Sequence, residues 1–281
     1  MKKSATLLII LAILISSCQE KNPCFIKLPS LISDNMLLQQ KTDAWIWGNA
    51  NPNHKITVTP EWGDAVSVKA GTDGKWLAVI PTPEAGGPYT ITIAGSDTSI
   101  VINNVLIGEV WFCSGQSNME MPMAGWPPND TIMHSAKTIA SADLPEIRLF
   151  NVQRKISGVP LDDCTGKWMV CSPETVSPFS ATAFFFGKRL YEQLHVPIGL
   201  IESAWGGTPS ESWTSPDVLK NSNEFVKEID AMKEAGPKMA EYQAWLNEHK
   251  QIEIKPAGGD QWKGIDFNYM SLASADFNDS S

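Results

Sequence analysis

The sequence predicts an α/β chain in which an N-terminal β-sandwich precedes part of a doubly wound parallel sheet. Three observations carry this. Residues 25–104 alternate apolar and polar side chains with period two. From about residue 105, strand-type and helix-type patterns alternate instead, the grammar of βαβ units. Between the two regimes, the apolar run Val110-Trp111-Phe112-Cys113 ends abruptly in Ser114-Gly115-Gln116-Ser117-Asn118. A strand that stops in a glycine-containing turn presents its side chains at the carboxyl edge of a sheet, where α/β folds place their sites.

The first residues read as an export signal. Lys2 and Lys3 precede an apolar stretch, Leu7 to Ile15, that is too short to span a bilayer. It runs into Ile15-Ser16-Ser17-Cys18, which resembles a bacterial lipobox, so residues 1–18 are expected to be a lipoprotein signal with Cys18 as the lipidated thiol. An ordinary secretory signal is the alternative. Either way the mature chain is expected outside the cytoplasm; in the lipobox reading it is a periplasmic or surface lipoprotein held to the membrane through Cys18.

The β region follows. Ala44 to Gly48, Lys55 to Thr59, Ala65 to Lys69, Lys75 to Ile80, Tyr89 to Ile93 and Ser99 to Ile102 read as short strands. Asn51-Pro52-Asn53, Thr72-Asp73-Gly74 and Glu84 to Pro88 separate them with turn chemistry. Closely spaced short strands of this kind predict a small sandwich. Beyond it, 109–113 and 145–152 read as strands. Residues 179–194 read as a helix capped by Ser180 or Thr182, with Phe186, Leu190 and Leu194 on its apolar face. Residues 196–202 form a third strand, and 221–250 read as a charged helical stretch. Three strands fall short of the roughly five of a doubly wound sheet. Residues 105–281 are therefore expected to be the N-terminal part of that domain.

Composition narrows the function. The chain has 281 residues, 43% hydrophobic and 19% charged, with a formal net charge of −9. That is a globular composition, and its charge argues against nucleic acid and against a basic membrane patch. The 11 tryptophans can pack a core or stack on sugar rings. Cys164 and Cys171 flank a short segment and could close a small loop, although spacing does not fix pairing. Cys113 reads as a buried hydrophobe. No Cys/His cluster has zinc spacing, so neither a metal nor a cofactor is expected.

Ser117 is the candidate nucleophile, though a serine near a turn also serves as a helix cap. Ester hydrolysis by serine needs a base and oxyanion donors besides the hydroxyl. The Ser117 N–H can be one donor. The turn Trp205-Gly206-Gly207-Thr208 offers a second, from Gly207 or less favourably Gly206, because a glycine lets the backbone approach an acyl oxygen. Each such donor is worth about 2.7–4 kcal/mol.

Two blocks also resemble a family. Gly-Glu-Val-Trp (108–111) followed by Gly-Gln-Ser-Asn-Met-Glu (115–120), and then Gly199 to Trp213, resemble the SGNH (GDSL-like) hydrolases, most closely the sialate O-acetylesterases. The resemblance implies a flavodoxin-like (SGNH) sheet behind an N-terminal β domain. It also implies a serine esterase acting on O-acetylated sialic acid or related carbohydrate, with Ser117 as nucleophile and Gly207 as oxyanion donor. Gln116, Asn118, Glu211 and Trp213 are candidates for contact with substrate, Trp205 for shaping the pocket.

The family's later blocks are not found. There is no Gly-Glu-Ser-Asn, and His249 is preceded three positions earlier by Leu246, so no Asp-x-x-His occurs there. His54 lies in the β region, and His195 sits at the end of a helix, where it suits the helix dipole. His134 is a weak candidate base. The chain by itself is therefore expected to lack turnover. The alternative function is a non-catalytic carbohydrate-binding surface lipoprotein.

Overall fold

A computed structural model of the chain describes residues 25–128, 131–157 and 160–221, together with Phe225 and Glu241. The signal segment with Cys18, Cys24, the helical reading of 221–250 and His249 fall outside these residues, save for those isolated positions.

The first half is built from β1 (Ile26–Lys27), β2 (Leu37–Gln39), β3 (Asp43–Ala50), β4 (Lys55–Pro60), β5 (Val66–Lys69), β6 (Lys75–Pro81), β7 (Gly86–Ala94) and β8 (Ser99–Gly115). β1, β3 and β6 form an antiparallel sheet. The run β5-β4-β7-β8 forms the other layer. Alternation along each strand sends Ile46, Ala78 and Ile80 from one layer and Ile56, Val58, Ile91, Ile93 and Ile102 from the other into one core. Each fully buried isoleucine contributes about 1.5–3 kcal/mol of transfer free energy. That is why the two-residue period was visible in the sequence.

β8 does not end where the sequence pattern changes. It runs through positions 104 and 105 in one strand. A bulge marks the change: Tyr89 faces Val105 while Ile91 faces Ile102, so β8 carries one extra residue. Asn104 absorbs it at φ +56°, a conformation asparagine tolerates better than most residues. Beyond the bulge, Gly108 brings β8 against the entry to the next parallel strand. A Cβ there would lie 2.0 Å from the Pro197 carbonyl oxygen. Glu109 N–H donates to that same oxygen at 2.9 Å.

The second half contributes β9 (Leu144–Asn151), β10 (Trp168–Cys171) and β11 (Ile198–Ala204). β11 lies between β8 and β9 and is parallel to both. β10 adds an antiparallel edge strand beside β9 that the sequence reading missed. The helices are α1 (Ser117–Glu120), α2 (Ser135–Ala140), α3 (Pro173–Val176), α4 (Ala181–Leu194) and α5 (Pro216–Leu219). α4 covers one face of the parallel strands, with Ser180 Oγ accepting from Ala183 N–H at 3.1 Å as its cap.

The buried face of α4 differs from the one the periodicity suggested. Phe186 and Leu194 are exposed, and the contact stripe is Ala183, Phe184, Gly187, Leu190 and Tyr191. Small residues decide this. A Cβ on Gly187 would sit 2.5 Å from Leu200 Cδ1, so the helix packs closest along the side that has no side chain there. Phe186 turns outward and meets Trp111 edge-on, ring centroids 5.0 Å apart.

Cys113, Cys164 and Cys171 are free thiols. Cys171 is fully buried with the parallel-sheet core, whereas Cys164 packs against the sandwich core. The small loop considered for the Cys164–Cys171 pair is not closed.

Candidate active site

Ser117 opens α1 immediately beyond the carboxyl end of β8. The parallel register sets Ala204 opposite Gly115, so the turns that follow the two strands emerge side by side. Trp205 N–H donates to Gly115 O at 3.0 Å and locks them together. The next residue, Gly206, comes against the serine: a Cβ on it would lie 3.5 Å from both Ser117 Cα and Ser117 Cβ, and 2.6 Å from Glu120 Oε2. Gly206 N–H donates to Glu120 Oε2 at 2.7 Å. Of the two glycines, Gly206 therefore has its amide engaged. Gly207 follows at φ +76°, exposed, and its N–H makes no hydrogen bond among the described residues.

The other candidates surround this junction. Gln116 Nε2 donates to Thr208 O at 3.3 Å, and Trp213 Nε1 donates to Thr208 Oγ1 at 2.8 Å. Thr208 Oγ1 in turn donates to Trp205 O at 2.7 Å, so Gln116 and Trp213 brace the second turn. Asn118 O accepts from Thr182 Oγ1 at 2.7 Å, fastening α1 to α4. Glu211 lies in the 3-10 turn Ser210–Trp213, where its Oε2 accepts from Ser210 Oγ at 3.3 Å.

A cavity of about 390 Å³ opens beside this junction, at the carboxyl ends of β9 and β11. Glu120, Trp126, Asn151, Gln153, Arg154, Glu202 and Ala204 line it; Gln116, Ser117, Asn118, Glu211 and Trp213 do not. The Arg154 guanidinium pairs with Glu120 Oε1 and lies 5.6 Å from the centroid of the Trp205 ring. Glu202 is 4% exposed. Burial pushes its carboxyl up to about 7, although Arg154 and the Ala204 amide pull the other way.

Ser117 Oγ makes no hydrogen bond among the described residues. His54 sits in the sandwich, where its carbonyl accepts from Ala70 N–H at 2.9 Å. His134 precedes α2 in a left-handed conformation, φ +59°, and is exposed. His195 caps the end of α4 at φ +53°, with its N–H on Tyr191 O at 3.0 Å. None of these three is hydrogen-bonded to the serine.

Glu120, Arg154 and Glu202 were not singled out by sequence reasoning. Glu120 lies inside the first quoted block and Glu202 inside the second, so their proximity to the site was visible. Arg154 was signalled only by its place just past the carboxyl end of a parallel strand.

Comparison with known proteins agrees with this geometry. No family model matches the chain. The sialate O-acetylesterase of Homo sapiens is 33% identical over 211 residues, 68% of this chain, and that of Mus musculus is 33% identical over 210 residues. The chain is a homologue of the sialate O-acetylesterases. As such a homologue it spans about two fifths of the relatives' length, 39% of the human protein and 38% of the mouse one. A solved carbohydrate acetylesterase from Xanthomonas citri superposes with a TM-score of 0.65 at 33% identity, covering 69% of this chain and 44% of that one. The mixed α/β architecture of this sialate O-acetylesterase homologue is thus shared with a solved acetylesterase.

Proposed function

We propose that the chain carries the nucleophile side of a serine esterase that removes O-acetyl groups from sialic acid or a related carbohydrate. The observation that carries this reading is the junction of the two turns. A Cβ on Gly206 would come within van der Waals range of Ser117, and the N–H of the next residue, Gly207, makes no hydrogen bond among the described residues.

In this reading Ser117 Oγ attacks the acetyl carbonyl carbon and its proton passes to a base that is not among the described residues in contact with it. The carbonyl oxygen, now negative, is held by the N–H groups of Ser117 and Gly207. Collapse of the tetrahedral adduct breaks the bond to the sugar oxygen, which leaves as a hydroxyl after taking a proton. Water then attacks the acetyl-serine, and acetate is released. The cavity beside the junction, with its mixture of carboxylates, amides, Arg154 and Trp126, supplies hydrogen-bonding groups and an aromatic face suited to a sugar ring. The exported, lipid-anchored state through Cys18 belongs to the same proposal and fits an extracellular glycan ester.

The test is acetate release from O-acetylated sialic acid by the protein expressed from its whole gene. Ser117→Ala should lower kcat by about 10³-fold or more while the fold is retained. Release that is unaffected by this change would overturn the reading. A protein that binds glycan and releases no acetate would favour the non-catalytic alternative, for which the exposed Trp45, Leu77 and Val79 on the outer face of the small sheet offer a surface.

A further inference from the structure

We infer that Glu120 is a positioning residue that sets the oxyanion donor of this site. The inference rests on the esterase reading above and adds a residue to it. Three observations converge on the Glu120 carboxylate. Its Oε2 accepts the Gly206 N–H at 2.7 Å, a bond between the first turn and the second. Its Oε1 is paired with Arg154, which comes from the loop after β9 and lies over Trp205, the residue before Gly206. The space between Glu120 and Gly206 is so short that a Cβ on Gly206 would stand 2.6 Å from Oε2 and 3.5 Å from Ser117 Cβ.

The consequence follows from the backbone. The Gly206 and Gly207 N–H groups lie on successive peptide planes joined at the Gly206 Cα, so anchoring the first leaves only the φ and ψ of Gly206 between the anchor and the second. Glycines have the widest conformational range of any residue, and two in succession have no internal preference for the one arrangement that aims the second amide at the serine. Glu120 supplies that preference. It sits on the same one-turn helix as Ser117, three residues on, so one rigid element carries both the nucleophile and the clamp. Arg154 holds the clamp from its far side. Charge-assisted bonds of this kind are shorter and stronger than neutral ones, which suits a group that must be aimed before the reaction rather than during it.

The role differs from binding the sugar. A donor to the oxyanion acts mainly in the transition state, so misaiming it lowers kcat and leaves KM nearly unchanged. In the protein expressed from its whole gene, Glu120→Ala should lower kcat for acetate release by about 10²-fold, the scale of losing one oxyanion donor. KM should move less than about threefold. Glu120→Gln keeps an oxygen for the Gly206 N–H and should recover most of that loss. A raised KM with unchanged kcat in Glu120→Ala would overturn the inference in favour of a sugar-binding residue. Equal loss in Glu120→Gln and Glu120→Ala would also overturn it, because the acceptor oxygen would not be what matters.

Amide hydrogen exchange supplies a readout that does not depend on turnover. The Gly206 N–H should be protected in the wild type and in Glu120→Gln, and should exchange at least about tenfold faster in Glu120→Ala. Loss of acetate release in the wild type would refute the esterase reading, while this exchange pattern would still decide the clamp. Unchanged Gly206 exchange in a folded Glu120→Ala protein would refute the clamp alone.

Discussion

Glu202 on β11 lies directly opposite Cys113 on β8 in the parallel register, and both side chains are buried. Burial pushes the Cys113 thiol up to about 11, with the Glu202 carboxylate adding to the shift. The carboxyl itself moves from an ordinary 4.5 to about 7, chiefly through burial. Between these values the folded protein holds a proton that the unfolded chain has released. Stability therefore falls as pH rises from about 4.5 to about 7 and is level above that. The loss is about 3 kcal/mol. Glu202→Gln should match the wild type near pH 4 and exceed it by up to about 3 kcal/mol at pH 8, as measured by urea denaturation. A difference that does not change with pH would refute the assignment.

The thiols give a second prediction. Cys171 is fully buried, donates to Ala142 O at 3.6 Å, and has its thiol pushed up to about 12 by burial. Cys113 behaves similarly at about 11. Cys164 is half-buried: burial and the Asp163 charge raise its thiol too, but it stays partly open to solvent. Since the thiolate is the reactive form, native iodoacetamide labelling at pH 8 should modify Cys164 at least about tenfold faster than Cys113 or Cys171. Peptide mass spectrometry checks this. Recovery of a Cys164–Cys171 disulfide peptide would contradict it.

Close approach of backbone to backbone gives the third. Ala at position 108 would bring its Cβ to 2.0 Å from the Pro197 carbonyl oxygen, where no side chain can yield. Ala at position 187 would meet Leu200 Cδ1 at 2.5 Å, and a leucine can rotate. Gly108→Ala should therefore cost about 3 kcal/mol, the upper part of the usual overpacking range, and Gly187→Ala about 1–2 kcal/mol. Thermal and urea melts rank the two; the reverse order would show that the β8–β11 junction yields more readily than α4.

These elements also show what could be read in advance. Strands with one wet face, such as β4, advertise themselves, because Ile56 and Val58 alternate with Lys55, Thr57 and Thr59. β10 is four apolar residues with no alternation, and nothing local distinguishes it from a loop. The consecutive Phe184, Phe185 and Phe186 spread apolar surface around α4, and only the missing side chain at Gly187, filled by Leu200, selects the packed side. In the site, the turns that carry Ser117 and Gly207 are legible because turn chemistry is local. The meeting of Arg154 with Glu202 is not legible, since the parallel register of β9 with β11 brings them together from distant parts of the chain.

Arg148 gives the last prediction. It is 3% exposed on β9, and its guanidinium donates to Asn35 Oδ1 at 3.3 Å and to Asn104 Oδ1 at 3.0 Å. Both partners are neutral amides in left-handed conformations, and they also bond to each other at 2.7 Å through Asn104 Nδ2 and Asn35 Oδ1. No carboxylate pairs with Arg148 among the described residues, and burial lowers its pKa, so the cation is held at a cost in solvation. Its contribution is then mostly volume and shape at the bulge where β8 passes from the sandwich to the parallel sheet. Arg148→Ala should lose about 3 kcal/mol by leaving a void. Arg148→Met fills that void without the desolvated charge and should lose less than about 1 kcal/mol, since the two asparagines keep their mutual bond. Urea denaturation of the pair separates the readings: if Arg148→Met falls as far as Arg148→Ala, the charge itself holds the bulge to β9, and the void does not.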